Sequence, residues 1–196
     1  MSSAADLYHL VLFLHLASVV AAFSIATLLH LAHHRLRTAT HAGPALDAAM
    51  LTRRAAPAMP LLSLALFATG GWLTQTAYTW RTPWVDWGAG GLILMMVVSL
   101  TILKPRMQAI GRTLATAGVD ALPADITARL RDRLLSAAAH VQLGLASGIL
   151  FVMVIKPAAS GCAIALAAGV AVALVVALPE RRTASAAATG PVAADA

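Results

Sequence analysis

The chain has 196 residues, of which 60% are hydrophobic and only 11% are charged, well below the roughly 25% that is usual in soluble domains. This composition excludes an ordinary water-soluble globular fold. The net charge of +6 is therefore interpreted as a determinant of membrane topology, and no nucleic-acid partner is expected. The single cysteine, Cys162, excludes an internal disulfide and a metal site built from several cysteines.

The first long apolar run covers residues 7–31 and is long enough to cross the roughly 30 Å hydrocarbon core of a bilayer. The segment before it carries Asp6 and no lysine or arginine, so it lacks the basic region of a signal peptide, and we expect this run to be retained as a helix. Further spanning runs are predicted at residues 60–78, 84–103, 134–155 and 161–178.

These runs predict an all-α fold, a polytopic bundle of five transmembrane helices. We expect residues 1–182 to form this single domain and residues 183–196, which lack large apolar side chains, to form a disordered cytoplasmic tail. Small residues in the fourth span, among them Gly144 and Gly148, predict close helix packing there.

Charge distribution predicts the orientation of the bundle. Of the 14 basic residues, all but Arg81 and Lys156 lie in segments that five spans place on one side of the membrane. The positive-inside rule puts that side in the cytoplasm, with the amino terminus outside and the carboxyl terminus inside a bacterial cytoplasmic membrane. Aromatic residues are expected at the opposite, outer interface: Tyr8, Tyr78, Trp80, Trp84 and Trp87.

Two connections on the basic side have recognisable patterns. Residues 33–57 are predicted to be a polar connection with a turn at Gly43-Pro44. Residues 125–135, with Ile126, Leu130 and Leu134 four residues apart, predict a short amphipathic helix on the cytoplasmic face of the membrane. Proline after Lys104 and after Lys156 predicts the ends of the third and fourth spans.

No Asp, Glu, Lys or Arg lies in the interior of any predicted span. This absence argues against an ion-coupled transporter or a proton channel, and it removes the acid–base pair that most hydrolases need. Histidine is the residue type that remains for chemistry in these spans.

His15 lies in the outer half of the first span, where a neutral imidazole needs a hydrogen-bond partner or a metal. One interpretation is a hydrogen bond between helices, with Ser18 or Gln75 as the partner. The other is ligation of haem iron or copper.

Histidines also lie near the inner interface. His30 and His140 have matching depth on the first and fourth spans, as a bis-imidazole site between two helices requires. Interfacial histidines without a ligand are the alternative. His33, His34 and His41 are expected to be solvated loop residues.

Further candidates lie toward the outer side. Met153 has a depth near that of His15, and Met95 and Met96 are two more soft potential copper ligands, although all three are also ordinary membrane core residues. Lys156 is interpreted either as a snorkelling anchor or as a cofactor-binding cation facing an anionic ligand on the outer side.

The stretch LFLHLASVVAAF around His15 resembles the first helix of the superfamily that contains the copper-resistance D proteins and the HemJ-type protoporphyrinogen oxidases. The chain also resembles an uncharacterised family of small bacterial integral membrane proteins, which share this opening and a helix end similar to Met153-Val154-Ile155-Lys156-Pro157. That family usually has Trp-x-Gly-Gly after the first histidine, where this chain has Val20-Ala21-Ala22-Phe23. The resemblance implies that His15 is the haem-associated position.

Three functional hypotheses follow. The first is a bundle that holds haem b or a metal through His15 in a redox or haem-pathway role. The second is a copper-handling membrane protein that uses His15, Met153 and Met95 or Met96. The third is a non-catalytic scaffold or assembly subunit that binds no cofactor. The expected partners are the lipid bilayer and either another membrane protein or further copies of the chain.

Overall fold

The computed structural model describes residues 2–79, 81–116, 122 and 124–177, so the tail predicted for residues 183–196 lies outside the described residues. Within these ranges every regular element is helical. The elements are α1 (Ser2–Thr38), α2 (Ala42–Ala55), α3 (Ala58–Ala77), α4 (Pro83–Val98), a π-helical turn (Ser99–Leu103), α5 (Lys104–Thr116), α6 (Ala124–Leu130), α7 (Arg133–Ile155) and α8 (Ala159–Val176).

Five helical stretches in the described part of the chain are long and apolar enough to cross a membrane, as the sequence predicted. They contain α1, α3, α4, α7 and α8. Their apolar surfaces are left open to the surroundings, with exposed side chains such as Phe13, Leu61 and Ile164, as expected for a surface that contacts lipid. The chain is thus built as an all-α, multi-pass membrane protein.

The bundle has two chemically different ends. At the aromatic end, the beginning of α1 meets the end of α3 through Tyr8 and Trp72, whose ring centroids are 6.5 Å apart. At the basic end, the last turns of α1 pack with α2, α5, α6 and the beginning of α7. Since α1 has 37 residues and is about 55 Å long, it extends well beyond a hydrocarbon core of roughly 30 Å.

The turn predicted at Gly43-Pro44 is wrong, because both residues lie in the first turn of α2, which begins at Ala42 after His41. Proline is tolerated there, since the first N–H groups of a helix have no partner within it. The connection predicted over residues 33–57 is therefore mostly helical: α1 continues to Thr38 and α2 follows after a short link.

The amphipathic helix predicted over residues 125–135 is interrupted. α6 ends at Leu130, and α7 begins at Arg133 with Asp132 as its N-cap. Ile126 and Leu130 do share one face, but they are buried in a core cluster with Leu36, Ala39, Ala45, Ala48, Ile110, Leu114 and Leu135. The apolar stripe thus packs against other helices of the basic end, and the structure does not support a helix lying freely on the membrane face.

The two Lys-Pro pairs have different outcomes. α7 ends at Ile155 and Lys156 adopts a left-handed conformation with φ 53°, so the predicted stop is confirmed. The stop predicted at Pro105 is wrong, because the π-helical turn leads directly into α5 and Pro105 is the second residue of that helix. Proline has no N–H to donate and its ring crowds the carbonyl four residues earlier, and the wider π turn relieves that crowding.

Candidate functional site

His15 lies at the contact between α1 and α3. Its Nδ1 atom is 2.9 Å from Oγ1 of Thr69. The ring lies against Gly70, where an added Cβ would be 3.2 Å from Cε1 of His15. The absence of a side chain at Gly70 therefore lets the imidazole approach the backbone of α3 closely. The expectation of an interhelical hydrogen bond is met, but through Thr69.

Neither of the two partners expected for His15, Ser18 and Gln75, forms its hydrogen bond. Ser18 donates its hydroxyl to the carbonyl oxygen of Leu14 in its own helix, and Gln75 is exposed. A hydroxyl on a helix commonly bonds the carbonyl four residues back, which explains why Ser18 does not reach the histidine.

The hydrogen bonds around Thr69 assign the tautomer of His15. The Thr69 hydroxyl lies 2.6 Å from the carbonyl oxygen of Ala65 and donates its single proton there, so it must accept from the Nδ1–H of His15. Nε2 of His15 then carries the lone pair. Histidine ligands of metals are commonly oriented in this way, with the second ring nitrogen donating to a protein acceptor.

The copper ligands proposed with His15 are distributed over other contacts. Met153 points its side chain at Gly88 of α4, where an added Cβ would collide with the Met153 methyl group. Met96 is exposed, and Met95 lies on α4, where its backbone carbonyl accepts from the Gln142 amide of α7. His15 packs on α3 and Met153 packs on α4, so each belongs to a different helix contact.

The structure brings His30 and His140 together between α1 and α7. Their ring centroids are 4.8 Å apart and the ring planes are nearly perpendicular, at 88°. Nδ1 of His140 donates to the backbone carbonyl of Ser136 at 2.8 Å, which directs Nε2 away from that turn of α7. Beside them Arg37 donates to the hydroxyl of Ser136.

His33 was expected to be a solvated loop residue, but it is 6% exposed. Because α1 continues past Leu31, His33 lies one turn after His30 on the same side of the helix. It is within electrostatic range of Arg37, His30 and His140. Its Nε2 atom is buried and has no hydrogen-bond partner. The spacing of three residues between His30 and His33 was the sequence signal for this cluster. His41 is exposed and lies between α1 and α2, as expected, whereas His34 is exposed but lies within α1 and not in a loop.

Gln142 is a further polar residue that sequence reasoning passed over. Its Nε2 donates to the carbonyl oxygen of Met95 at 2.7 Å and to Oγ of Ser99 at 2.5 Å. These contacts connect α7 to the beginning of the π-helical turn, where the backbone departs from regular α-helical bonding. Gln142 thus ties α7 to α4 on the side of α7 away from His140.

Lys156 lies at the aromatic end. Its Nζ donates to the hydroxyl of Tyr78 at 2.8 Å and lies 4.8 Å and 5.0 Å from the ring centroids of Tyr78 and Trp84. A cation over aromatic faces is stabilised by the ring quadrupoles. This arrangement fits the interpretation of Lys156 as an interfacial anchor, and the anionic-ligand interpretation stays a prediction.

In the described part of the chain, no three His, Cys, Asp or Glu side chains form a group arranged to hold a metal ion. No family model matches the chain, no curated protein matches it, and no solved structure matches it. The site residues define a class in chemical terms alone: a multi-pass helical membrane protein with imidazoles in both halves of its first helix.

Proposed function

We propose that this membrane protein binds haem b through His15 and serves in a redox or haem-pathway reaction. The observation that carries the proposal is the hydrogen bond from Nδ1–H of His15 to Thr69. It leaves Nε2, the nitrogen that ligates haem iron in many proteins, with its lone pair available. The stretch around His15 resembles the superfamily of the copper-resistance D proteins and the HemJ-type protoporphyrinogen oxidases, and this resemblance implies that His15 is the haem-associated position.

The residues around His15 fit an axial ligand in type and orientation. His15 would hold the iron, Thr69 would fix the ring orientation, and Gly70 leaves the ring close to the backbone of α3. When bound, haem supplies an iron centre whose potential depends on its axial ligand and on the polarity around it. The half-buried position of His15 in an apolar helix provides a low-polarity environment.

The distribution of copper-type ligands favours haem over copper at His15. Copper(I) sites combine soft sulfur and imidazole ligands at one point. Here the Met153 thioether packs against Gly88, while His15 packs against Thr69 and Gly70. The imidazole and the thioether are therefore held against different helices, α3 and α4.

The proposed orientation has its amino terminus outside and its carboxyl terminus inside a bacterial cytoplasmic membrane. The basic residues of α2, α5 and α6 gather at one end of the bundle, and the positive-inside rule assigns that end to the cytoplasm. His15 then lies in the outer half of the membrane.

The test is an absorption spectrum and a copper assay on the full chain, purified in mild detergent from cells supplied with ample haem and copper. We expect a Soret band in the wild type that disappears in His15→Ala. The variant should stay folded, because one interhelical hydrogen bond contributes only about 0.6 kcal/mol on average in a membrane protein.

Thr69→Val and Ser18→Ala make a matched pair for this test. Thr69→Val removes the acceptor that orients His15, and loss of such a partner typically weakens metal affinity about 10- to 100-fold. Ser18→Ala removes a hydroxyl bonded only within α1 and should leave the spectrum unchanged. Wild-type protein with neither haem nor copper would contradict the proposal and favour the scaffold hypothesis, and copper without haem would favour the copper hypothesis.

A further inference from the structure

We infer that the groove between the last turns of α1 and the helix α2 binds the headgroup of a phospholipid that carries both a phosphate and a primary amine, as phosphatidylethanolamine does. The groove has a volume of about 540 Å³ and is lined by polar and apolar side chains of both helices, among them the oppositely charged Arg35 and Asp47. Arg35 lies 20 residues after His15 on α1, so this site is separate from the proposed haem site, and neither proposal depends on the other.

The two charged side chains of the groove are available to a ligand. Arg35 and Asp47 are exposed, and neither forms an ion pair with another residue of the described ranges. A guanidinium binds phosphate well, and a carboxylate attracts an ammonium group. A zwitterionic headgroup therefore satisfies both charges, whereas a purely anionic headgroup would pair with Arg35 and be repelled by Asp47.

Thr38 adds a hydrogen-bond acceptor to the groove. It lies one turn after Arg35 on the same side of α1. Its hydroxyl is 3.1 Å and 3.3 Å from the carbonyl oxygens of His34 and Arg35, so its proton is donated within the helix and its lone pairs remain for an external donor. A primary ammonium offers three N–H donors, whereas the quaternary nitrogen of choline offers none. Asp47 and Thr38 together therefore favour a primary amine.

The groove begins at the depth of the lipid headgroups. Arg35 comes four residues after Leu31, where the first apolar run ends, and this is a rise of about 6 Å. The headgroup layer extends roughly 5 to 8 Å beyond the hydrocarbon core. Because α2 leads back into the spanning helix α3, Leu51 lies on the membrane side of the groove and Pro44 on the far side. The apolar Leu51 is thus placed where the glycerol and acyl groups of a lipid enter.

The charges of the groove disfavour other small ligands. A divalent cation such as magnesium or calcium needs several oxygen ligands, and the Arg35 guanidinium repels it. An inorganic phosphate pairs with Arg35 but leaves Asp47 beside a second negative charge. A soluble phosphoethanolamine ester shares the chemistry of the lipid headgroup, and the experiment distinguishes these two sources.

The experiment measures lipid binding to the full chain by native mass spectrometry from detergent. The probes are phosphatidylethanolamine, phosphatidylcholine and phosphatidylglycerol with identical acyl chains. We expect one phosphatidylethanolamine per chain to bind about fivefold more tightly than either of the others, because one charged contact at a membrane surface contributes roughly that factor. Asp47→Asn should remove this preference, and Arg35→Gln should weaken the binding of all three lipids.

Arg112→Gln is the matched control for Arg35→Gln. It removes an exposed arginine of the basic end that does not line the groove, so the preference for phosphatidylethanolamine should remain. Thr38→Val removes the neutral acceptor and should weaken phosphatidylethanolamine binding less than Asp47→Asn does. Circular dichroism should show that all four variants are folded, because each changes an exposed side chain.

Two results would overturn the inference: equal affinity for the three lipids, or a preference for phosphatidylethanolamine that Asp47→Asn retains. Soluble glycerophosphoethanolamine is the probe for the other source of the same chemistry. We expect it to compete only weakly, because it lacks the acyl chains that hold a lipid at the membrane side of the groove. Competition at the affinity of the lipid itself would overturn the assignment to a phospholipid.

Discussion

Gly144 of α7 and Gly169 of α8 meet backbone to backbone. A Cβ added to either glycine would collide with the carbonyl oxygen of the other. One turn further along α7, a Cβ on Gly148 would lie 3.0 Å from the Cα of Leu166. Two helices without large side chains between them gain van der Waals contact along their length, which is the main source of helix association inside a membrane.

This contact predicts that Gly144→Val destabilises the bundle by about 1–3 kcal/mol, as overpacking typically does. The mutation forces α7 and α8 apart because the obstructing atom is a backbone carbonyl, which has little freedom to move. Thermal unfolding in detergent, followed by circular dichroism, measures the effect. Gly90→Val is the matched control on α4, since nothing lies within 4 Å of a Cβ at that position. An equal decrease in the melting temperature of the two variants would contradict the prediction.

Asp132 has two roles at the beginning of α7. Its Oδ1 accepts from the backbone N–H groups of Leu134 and Leu135 at 2.8 and 3.4 Å, and its Oδ2 pairs with Arg106 of α5. We expect Asp132→Ala to cost about 1–2 kcal/mol, mainly from the lost cap. Arg106→Ala should cost less than about 1 kcal/mol, because the ion pair is partly exposed and screened.

A chemical or thermal melt of the single variants and of the double variant separates these contributions. Asp132→Asn is a useful third variant, since asparagine caps helices nearly as well but carries no charge. If Asp132→Asn lowered the free energy of unfolding as much as Asp132→Ala does, the ion pair, and not the cap, would be the larger contribution.

The sequence determined the spans but not the structure of the basic end. Hydropathy depends only on the local run of residues, and the five predicted spans correspond to helices. The burial of Ile126 and Leu130, by contrast, depends on how α2, α5 and α6 fold back on one another. An apolar stripe has the same pattern whether it faces lipid or protein, so periodicity alone could not distinguish the two.

In the candidate site, too, some features could be predicted from the sequence and others could not. The pairing of His30 with His140 could be predicted from the sequence, because counting residues along each span gives the depth of a residue in the membrane. The partner of His15 was missed because the choice among Thr69, Ser18 and Gln75 depends on the rotation of α1 against α3. His33 was missed because the first helix was expected to end before it, whereas α1 continues to Thr38.

Gln142 provides a prediction about buried polar groups. Its amide donates to Met95 and Ser99, and its Oε1 is buried without a hydrogen-bond partner. Gln142→Leu removes the two bonds together with the unsatisfied oxygen, so we expect the melting temperature to change little. Gln142→Glu places a carboxyl group in the same position and should lower it clearly, because burial of an ionisable group at this depth is costly. A Gln142→Leu variant as unstable as Gln142→Glu would contradict this account.

The last prediction distinguishes a folded end from a helix lying on the membrane. Leu130 is 1% exposed within the core cluster of α1, α2, α5 and α7, whereas Leu134 is 47% exposed. Leu130→Ala should therefore cost about 2–5 kcal/mol, the usual range for a buried leucine, and Leu134→Ala should cost much less. The two substitutions remove the same atoms and lie four residues apart, so they form a matched pair. Thermal melts in detergent give the comparison. If α6 instead lay on the membrane face, the two alanine variants would have similar stability.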